Sequence, residues 1–476
     1  MQSAPAGLFP RRRGALLRQI LCSKQIVNFS SDTLYGQLLS QPLPAAWQVA
    51  YSGGLDSSAL LHAMAALRGR FDIPVGAVHV HHGLQADADR WADHCRRLCA
   101  DHHMPLSVLQ VDAAPARGES PEAAARQARY AALADWLVPD HCLLTAQHQD
   151  DQAETLLLQL LRGAGVPGLA SMPVCTAFGE GTHLRPLLPF SRQALYDYAL
   201  AAGLEWIEDP SNAETGLDRN FLRHSVMPLL QSRWPALSGN LSRSAAHAAE
   251  AAGLLDSLAM ADRQAAGGRD TDTLMVSALQ ALPPARQRNL LRFWMKQLAG
   301  HAPSAAVLTR VQHDVLDSRP DAMPCVQWGR HALRRYRDEL FVLPVALPEQ
   351  PRPECAWRLD APLPLTDGAV LTATPAVGEG LRRAAIGADG VRIRWRRGGE
   401  TCRPAGRGHR HALKKLFQEA GVPPWQRHRI PLLYVENELA AVAGMWICEP
   451  FQAGPHEAGY RIDWLDRRQP DGHRSD

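Results

Sequence analysis

At 476 residues the chain exceeds one ordinary core, and at about 150 residues per domain its length suggests roughly three domains. A hydrophobic share of 46% supports packed interiors, while a formal net charge of only +3 excludes an overall field that demands a polyanionic partner. Nine cysteines, scattered and odd in number, exclude a disulfide-stapled scaffold and fit a reducing, cytoplasmic setting.

The first thirty residues carry Arg11-Arg12-Arg13 before an apolar run that Arg18 interrupts after one turn. Residues 1–30 therefore read as a disordered extension rather than a signal peptide, with an organellar transit segment as the lesser alternative. No stretch approaches the ~20 apolar residues of a membrane span, so no membrane partner is expected.

From Trp47 the pattern alternates strand and helix. Strands are predicted at 49–52, 75–80, 106–111 and 142–145, and helices at 59–67, 88–102, 122–137 and 151–161. Such alternation implies a parallel sheet with helices on both faces and ligands at the carboxyl ends of the strands. After Asn220 the texture becomes Ala- and Leu-rich helix, at 241–263, 274–299 broken by Pro283-Pro284, and 305–316 capped by Ser304. Residues 343–355 are Pro-rich and read as a linker. Beyond them short β runs at 391–395 and 432–435 surround one helix at 412–420, a small α+β domain. The expected domains are thus 31–220, 221–342 and 356–476.

Two local signals carry chemistry. Ser52-Gly53-Gly54-Leu55-Asp56-Ser57-Ser58 ends an apolar strand and opens a helix, so its glycines and free N–H groups suit an anion. It lacks the lysine of a Walker loop and the third glycine of a dinucleotide fingerprint. A plain Gly-Gly turn is the alternative for these residues alone. The loop resembles the pyrophosphate loop of ATP pyrophosphatases, which makes Ser52 to Ser58 the expected nucleotide-binding set. The second signal is Gln147-His148-Gln149-Asp150-Asp151-Gln152-Ala153-Glu154-Thr155, where Asp151 and Glu154 share a helix face. A triphosphate needs Mg²⁺, which takes one or two carboxylates, and Asp151 and Glu154 are the expected metal residues. Acidic N-terminal capping accounts for part of the same run.

Cys95 and Cys99 stand four apart on a predicted helix, but without a second pair they read as packing residues rather than zinc ligands. Between Arg392 and Arg429 eleven Lys or Arg face two acids, Glu400 and Glu419, a local excess suited to nucleic-acid phosphates. Arg126 and Arg129, three apart on one helix face, suit phosphates or plain solvation.

In order, these motifs, together with His79-Val80-His81-His82-Gly83-Leu84, Glu122 to Tyr130, Arg162-Gly163-Ala164-Gly165, Arg185-Pro186-Leu187-Leu188, Trp206 to Asn212, Arg219 to Arg223, Arg397-Gly398-Gly399-Glu400, His411 to Phe417 and Val422 to Arg427, resemble tRNA(Ile)-lysidine synthetases. Two positions depart from the family pattern: Gln85, where Arg is common, and Gln147, where the pattern has His-His. The resemblance implies ATP-dependent ligation of free L-lysine to C2 of the wobble cytidine of a CAU-anticodon isoleucine tRNA, through an adenylated cytidine, with Mg²⁺. It implies Asp56, Asp151 and Glu154 as catalytic residues. Arg126, Arg129, Asp209, Asn212, Arg219, Asn220, Arg223, Arg397, His411, Lys414, Lys415 and Arg427 follow as substrate-binding ones, and the sequence leaves a homodimer open. The competing readings are a tRNA thiolase, which needs an exposed reactive cysteine, an amide-forming synthetase, which has no need of a basic C-terminal domain, and a non-catalytic nucleotide-responsive RNA-binding protein.

Overall fold

The computed structural model describes residues 28–81, 88–112, 121–208, 218–319, 321–345, 353–366, 368–387 and 389–465, in two compact units that divide after Leu254. The first begins with α1 (Ser31–Leu39), whose N-cap Ser30 and Thr33 cap each other reciprocally. Phe29 is buried edge-on against Phe190 and Tyr198, so the packed chain starts before residue 31 and residues 28–30 do not belong to a disordered extension.

The strands β1 (Ala46–Ala50), β2 (Val75–His81), β3 (Leu106–Gln110) and β4 (His141–Leu144) alternate with helices α2 (Leu55–Leu67), α3 (Ala88–Asp101) and α4 (Pro121–Trp136). Helix α5 (Gln149–Leu161) and the single turn α6 (Val166–Leu169) follow. The first four strands pair in parallel with β1 at the centre, and a hairpin the sequence reading did not anticipate, β5 (Cys175–Phe178) and β6 (Gly181–Leu184), extends the sheet to the order β3-β2-β1-β4-β6-β5. Trp47, Val49, Leu60, Leu61, Met64 and Phe190 form the core on one face, and Val78, Leu133, Leu137 and Leu143 that on the other. Apolar side chains on both faces are what a doubly covered parallel sheet requires. Cys95 and Cys99 are buried in the first of these cores, where desolvation pushes their thiols up to about 12 and about 11, as packing residues require.

Helix α7 (Arg192–Ala201) packs on α2, and the chain then runs through α8 (Asp218–Phe221), a π-type turn at Leu222–Val226, α9 (Met227–Arg233) and the long α10 (Leu237–Ala266). In the second unit the helices Val276–Ala281 and Pro284–Ala299 are separated at the predicted proline pair, and Ser304 caps Ala305–Arg310 as expected. The helical middle region also holds an antiparallel sheet of Leu274–Met275, Cys325–Trp328, His331–Tyr336 and Glu339–Pro344, so the expected linker starts later than residue 343. Buried Arg335 spans this region, donating to the carbonyls of Val315, Leu316 and Ser318. Residues 353–465 form five- and four-stranded antiparallel sheets around the helix Leu413–Glu419, an α+β arrangement. Among the described residues no helix is long and apolar enough to cross a membrane.

Candidate active site

The chain leaves β1 at Tyr51 and reverses through Gly53, whose φ of +83° is open to glycine and strained for other residues. A Cβ there would stand 3.2 Å from Ile207 Cδ1 and 3.3 Å from Cys95 Sγ, so the position is constrained by space as well as by torsion. Ile207 N–H donates to Gly53 O at 2.8 Å and ties the loop to a segment distant in sequence. The Ser57 hydroxyl donates to Gly54 O at 2.9 Å and lies 3.0 Å from the Ser52 hydroxyl. Gly54 is the N-cap of α2 and offers no side-chain cap, so the first-turn N–H groups face a cleft also lined by Ser52, Asp56, Asp151 and Glu154.

Across that cleft α5 presents its acidic face, and Arg219 and Arg223 close on it from one turn apart. Arg219 donates from Nε to Glu154 Oε2 and from Nη2 to Asp151 Oδ1, both at 2.9 Å. Arg223 donates from Nε to Glu154 Oε1 at 2.7 Å, and from Nη2 to Asp151 Oδ1 and Glu154 Oε2 at 2.8 Å. Two carboxylates and two guanidiniums thus form a charge-balanced quartet in which Glu154 is almost fully buried. Burial raises the Asp151 carboxyl, but His148, Arg219 and Arg223 outweigh it and hold it below the usual carboxylate range.

His148 is a site residue that the sequence reading passed over. Its ring is 2% exposed and touches three carboxylates. Nε2 stands 3.4 Å from Asp151 Oδ2 and 3.6 Å from Asp56 Oδ2, and Nδ1 is 3.8 Å from Asp150 Oδ2. Burial pushes the imidazole down, yet Asp151, Asp56 and Asp150 outweigh it and the net shift is upward. The residue is also the N-cap of α5, in a reciprocal cap with Asp151 whose N–H reaches Nδ1 at a long 3.4 Å. The pyrophosphate-loop aspartate and the helix aspartate are thereby joined through one ring. The available signal was the position of His148, immediately before an acidic helix start.

Arg129 lines the cleft, 5.5 Å over the Tyr130 ring, while Arg126 is exposed and lies 5.1 Å from the same ring. Asn220 also lines the cleft. Asp209 and Asn212, with His82 to Gln85, lie outside the described residues. In the second unit Lys414 and Lys415 are exposed on their helix, Arg397 pairs with Glu354 at 3.0 Å, and His411 is half-buried opposite Cys402. Arg427 corrects the expectation of a substrate contact: it is buried, and its guanidinium donates to Val422 O at 2.9 Å and to the Tyr336 hydroxyl at 3.2 Å, leaving it a brace inside the unit.

The donor set fits a hard divalent cation at Asp56 and at Asp151 Oδ2, which accepts the His148 N–H but, unlike Asp151 Oδ1 and both Glu154 oxygens, takes no arginine. Asp56 Oδ1 is buried without a hydrogen-bond partner, an orphan that a cation would satisfy. Glu154 does not fit the metal role expected of it, since both its oxygens accept from arginine. Among the described residues no group of three or more His, Cys, Asp or Glu is placed to hold a metal ion by itself.

Three family models match the chain in order: a PP-loop domain over residues 28–230, a TilS substrate binding domain over 274–341 and a TilS substrate C-terminal domain over 391–464. The tRNA(Ile)-lysidine synthase of Methylococcus capsulatus is 44% identical over 88% of this chain and 96% of its own length. That of Alkalilimnicola ehrlichii is 45% identical over 93% and 98%, and that of Coxiella burnetii 41% identical over 87% and 92%. With the pyrophosphate loop, the acidic helix and all three matched domains in one chain, the protein belongs to the tRNA(Ile)-lysidine synthase family and is an enzyme, a ligase.

Proposed function

We propose that the chain ligates free L-lysine to C2 of the wobble cytidine of an isoleucine tRNA with a CAU anticodon, using ATP and Mg²⁺ and releasing AMP and pyrophosphate. The observation that carries this reading is the convergence of the Ser52 to Ser58 loop with the Asp151, Glu154, Arg219 and Arg223 quartet in one cleft. The loop's free N–H groups hold the leaving pyrophosphate. Mg²⁺ would be held by Asp56 and Asp151 and would neutralise the triphosphate.

The quartet suits a zwitterionic amino acid. Lysine brings ammonium groups that compete for Asp151 and Glu154 and a carboxylate that matches the freed Arg219 and Arg223, so bound ion pairs are exchanged rather than buried charges stripped bare. Its ε-amine, with an unperturbed pKa near 10.4, arrives protonated and must lose a proton before it attacks. Asp151, ionised at neutral pH, draws the ammonium in and is a proton acceptor in the same cleft as the phosphate loop. Exposed Lys414 and Lys415 suit the tRNA backbone. The cytoplasm is the expected setting.

Incubation with labelled lysine, ATP, Mg²⁺ and total bacterial tRNA tests the reading. Label in one minor isoleucine tRNA is the expected result, and label in no tRNA refutes it.

A further inference from the structure

Three arginines surround Tyr130 in the wall of the cleft, and two of them are desolvated. Arg129 and Arg185 line the cleft beside Tyr130, Thr145 and Gln147. Arg185 donates from Nη1 to Pro173 O at 2.8 Å, has Nη2 3.2 Å from His183 Nδ1, and is within hydrogen-bonding reach of the Tyr130 hydroxyl. Its Nε is buried and has no partner. The support behind it is neutral: His183 Nε2 lies 2.7 Å from Thr145 Oγ1, Thr145 donates to Gln147 Oε1, and Gln147 Nε2 reaches the Tyr130 hydroxyl at 3.5 Å. Burial and the neighbouring Arg185 cation push the His183 imidazole down to about 3, so it adds no charge of its own at neutral pH.

Among the described residues no carboxylate pairs with Arg129 or Arg185. Desolvation lowers both guanidiniums, Tyr130 opposes that shift and Arg126 adds to it, so burial outweighs the one acidic side chain beside both. Protein interiors pair buried charges, and a cleft that leaves two guanidiniums unpaired stores affinity for an anion from outside. The neutral scaffold serves the same end, because a carboxylate there would compete with the ligand.

We propose that Arg185 is a phosphate-binding residue, acting with Arg129 beside the Tyr130 ring to hold a phosphate of the RNA backbone or of the nucleotide. The inference rests on the proposed function above, and its ligand chemistry is phosphate from either source. Gln147 is then a positioning residue that fixes Tyr130 without a titratable group.

The test uses the full-length protein and Arg185→Gln, with two binding arms. In the first, tRNA affinity is measured against salt without ATP, and one lost phosphate contact reduces the logarithmic slope by about 0.7 to 0.9. In the second, ATP affinity is measured without tRNA, with a loss of tenfold or more expected if the phosphate is the nucleotide's. A change in the first arm alone assigns the contact to RNA, and in the second alone to ATP. Unchanged slope and unchanged ATP affinity overturn the proposal and leave Arg185 a brace for Pro173. If Arg185→Gln does not fold, dicarbonyl labelling of wild-type arginines followed by peptide mass spectrometry replaces it: protection of Arg185 by tRNA or ATP is expected, and no protection by either overturns it. Failure of the wild-type protein to bind both would instead sink the functional reading.

Discussion

Arg223 grips Glu154 with two nitrogens, Nε on one carboxylate oxygen at 2.7 Å and Nη2 on the other at 2.8 Å, across 69 positions of sequence. A parallel fork of this kind fixes orientation as well as charge, and Arg219 completes it from the adjacent turn. The pair is what holds the acidic face of α5 in one fixed arrangement.

Glu154→Gln should therefore be felt twice. The amide keeps the volume but leaves two partly buried guanidiniums with one carboxylate between them, a loss of about 1–3 kcal/mol once their partial exposure is allowed for. Urea unfolding should show it. Lysine KM should also rise while ATP affinity holds, because the loop is untouched; an unchanged lysine KM in a folded variant would remove the quartet from substrate recognition.

The phosphate loop makes a separate prediction. Gly53→Ala forces a side chain into the left-handed region at a cost of about 1–2 kcal/mol, beside Ile207 and Cys95. Asp56→Asn keeps that backbone and removes the charge, so tRNA-dependent AMP formation should fall by about 10² or more with tRNA affinity intact. Normal AMP formation by folded Asp56→Asn contradicts the role given to the loop.

The loop and acidic run were legible in sequence because each is a local backbone device: a glycine reversal before a helix, and carboxylates at a helix start. The quartet was legible only as separate pieces, since Arg219 and Arg223 meet Asp151 and Glu154 from 65 to 72 positions away. His148 was missed because its meaning lies in Asp56, which reaches it from another strand end. The sheet at Cys325–Trp328, His331–Tyr336 and Glu339–Pro344 was missed for a different reason. Arg334 and Arg335 interrupt its apolar alternation, and Arg335 is buried only because helix-end carbonyls satisfy its guanidinium.

His148 predicts how stability follows pH. Its folded pKa is raised above the ordinary 6.5, so the stabilisation is fully present below that value and is lost as pH rises through the folded one. Asp151 has the opposite sign: depressed below 3.8, it stabilises above that value and its contribution is lost as pH falls through its folded pKa. His148→Asn replaces the capping ring nitrogen with an amide oxygen, a good N-cap acceptor, and removes the titration. Urea unfolding from about pH 6.5 upward should show declining wild-type stability and a flatter His148→Asn profile. A wild-type curve as flat as the variant's would show that the three carboxylates do not hold the ring's proton.

The last prediction separates two kinds of basic residue in the second unit. Lys414 and Lys415 are exposed on the helix Leu413–Glu419, whereas Arg427 is buried and bonded to Val422 O and the Tyr336 hydroxyl. Trp425, two residues before it, packs edge-on against Tyr336 and Phe341, so Arg427 sits in the seam that joins the strands His331–Tyr336 and Glu339–Pro344 to the C-terminal region. Composition counts all three cations alike, but burial does not. Lys414→Ala and Lys415→Ala should leave stability within about 0.5 kcal/mol, as surface changes do, and each should reduce the salt slope of tRNA binding by about 0.7 to 0.9. Arg427→Ala should do the reverse, costing about 1–3 kcal/mol for the carbonyl and hydroxyl left without their donor while the salt slope is preserved. Parallel urea melts and salt titrations of the three variants decide it. A reduced slope with unchanged stability for Arg427→Ala would return that residue to the tRNA-binding surface, and unchanged slopes for both lysines would make their helix a solvated face.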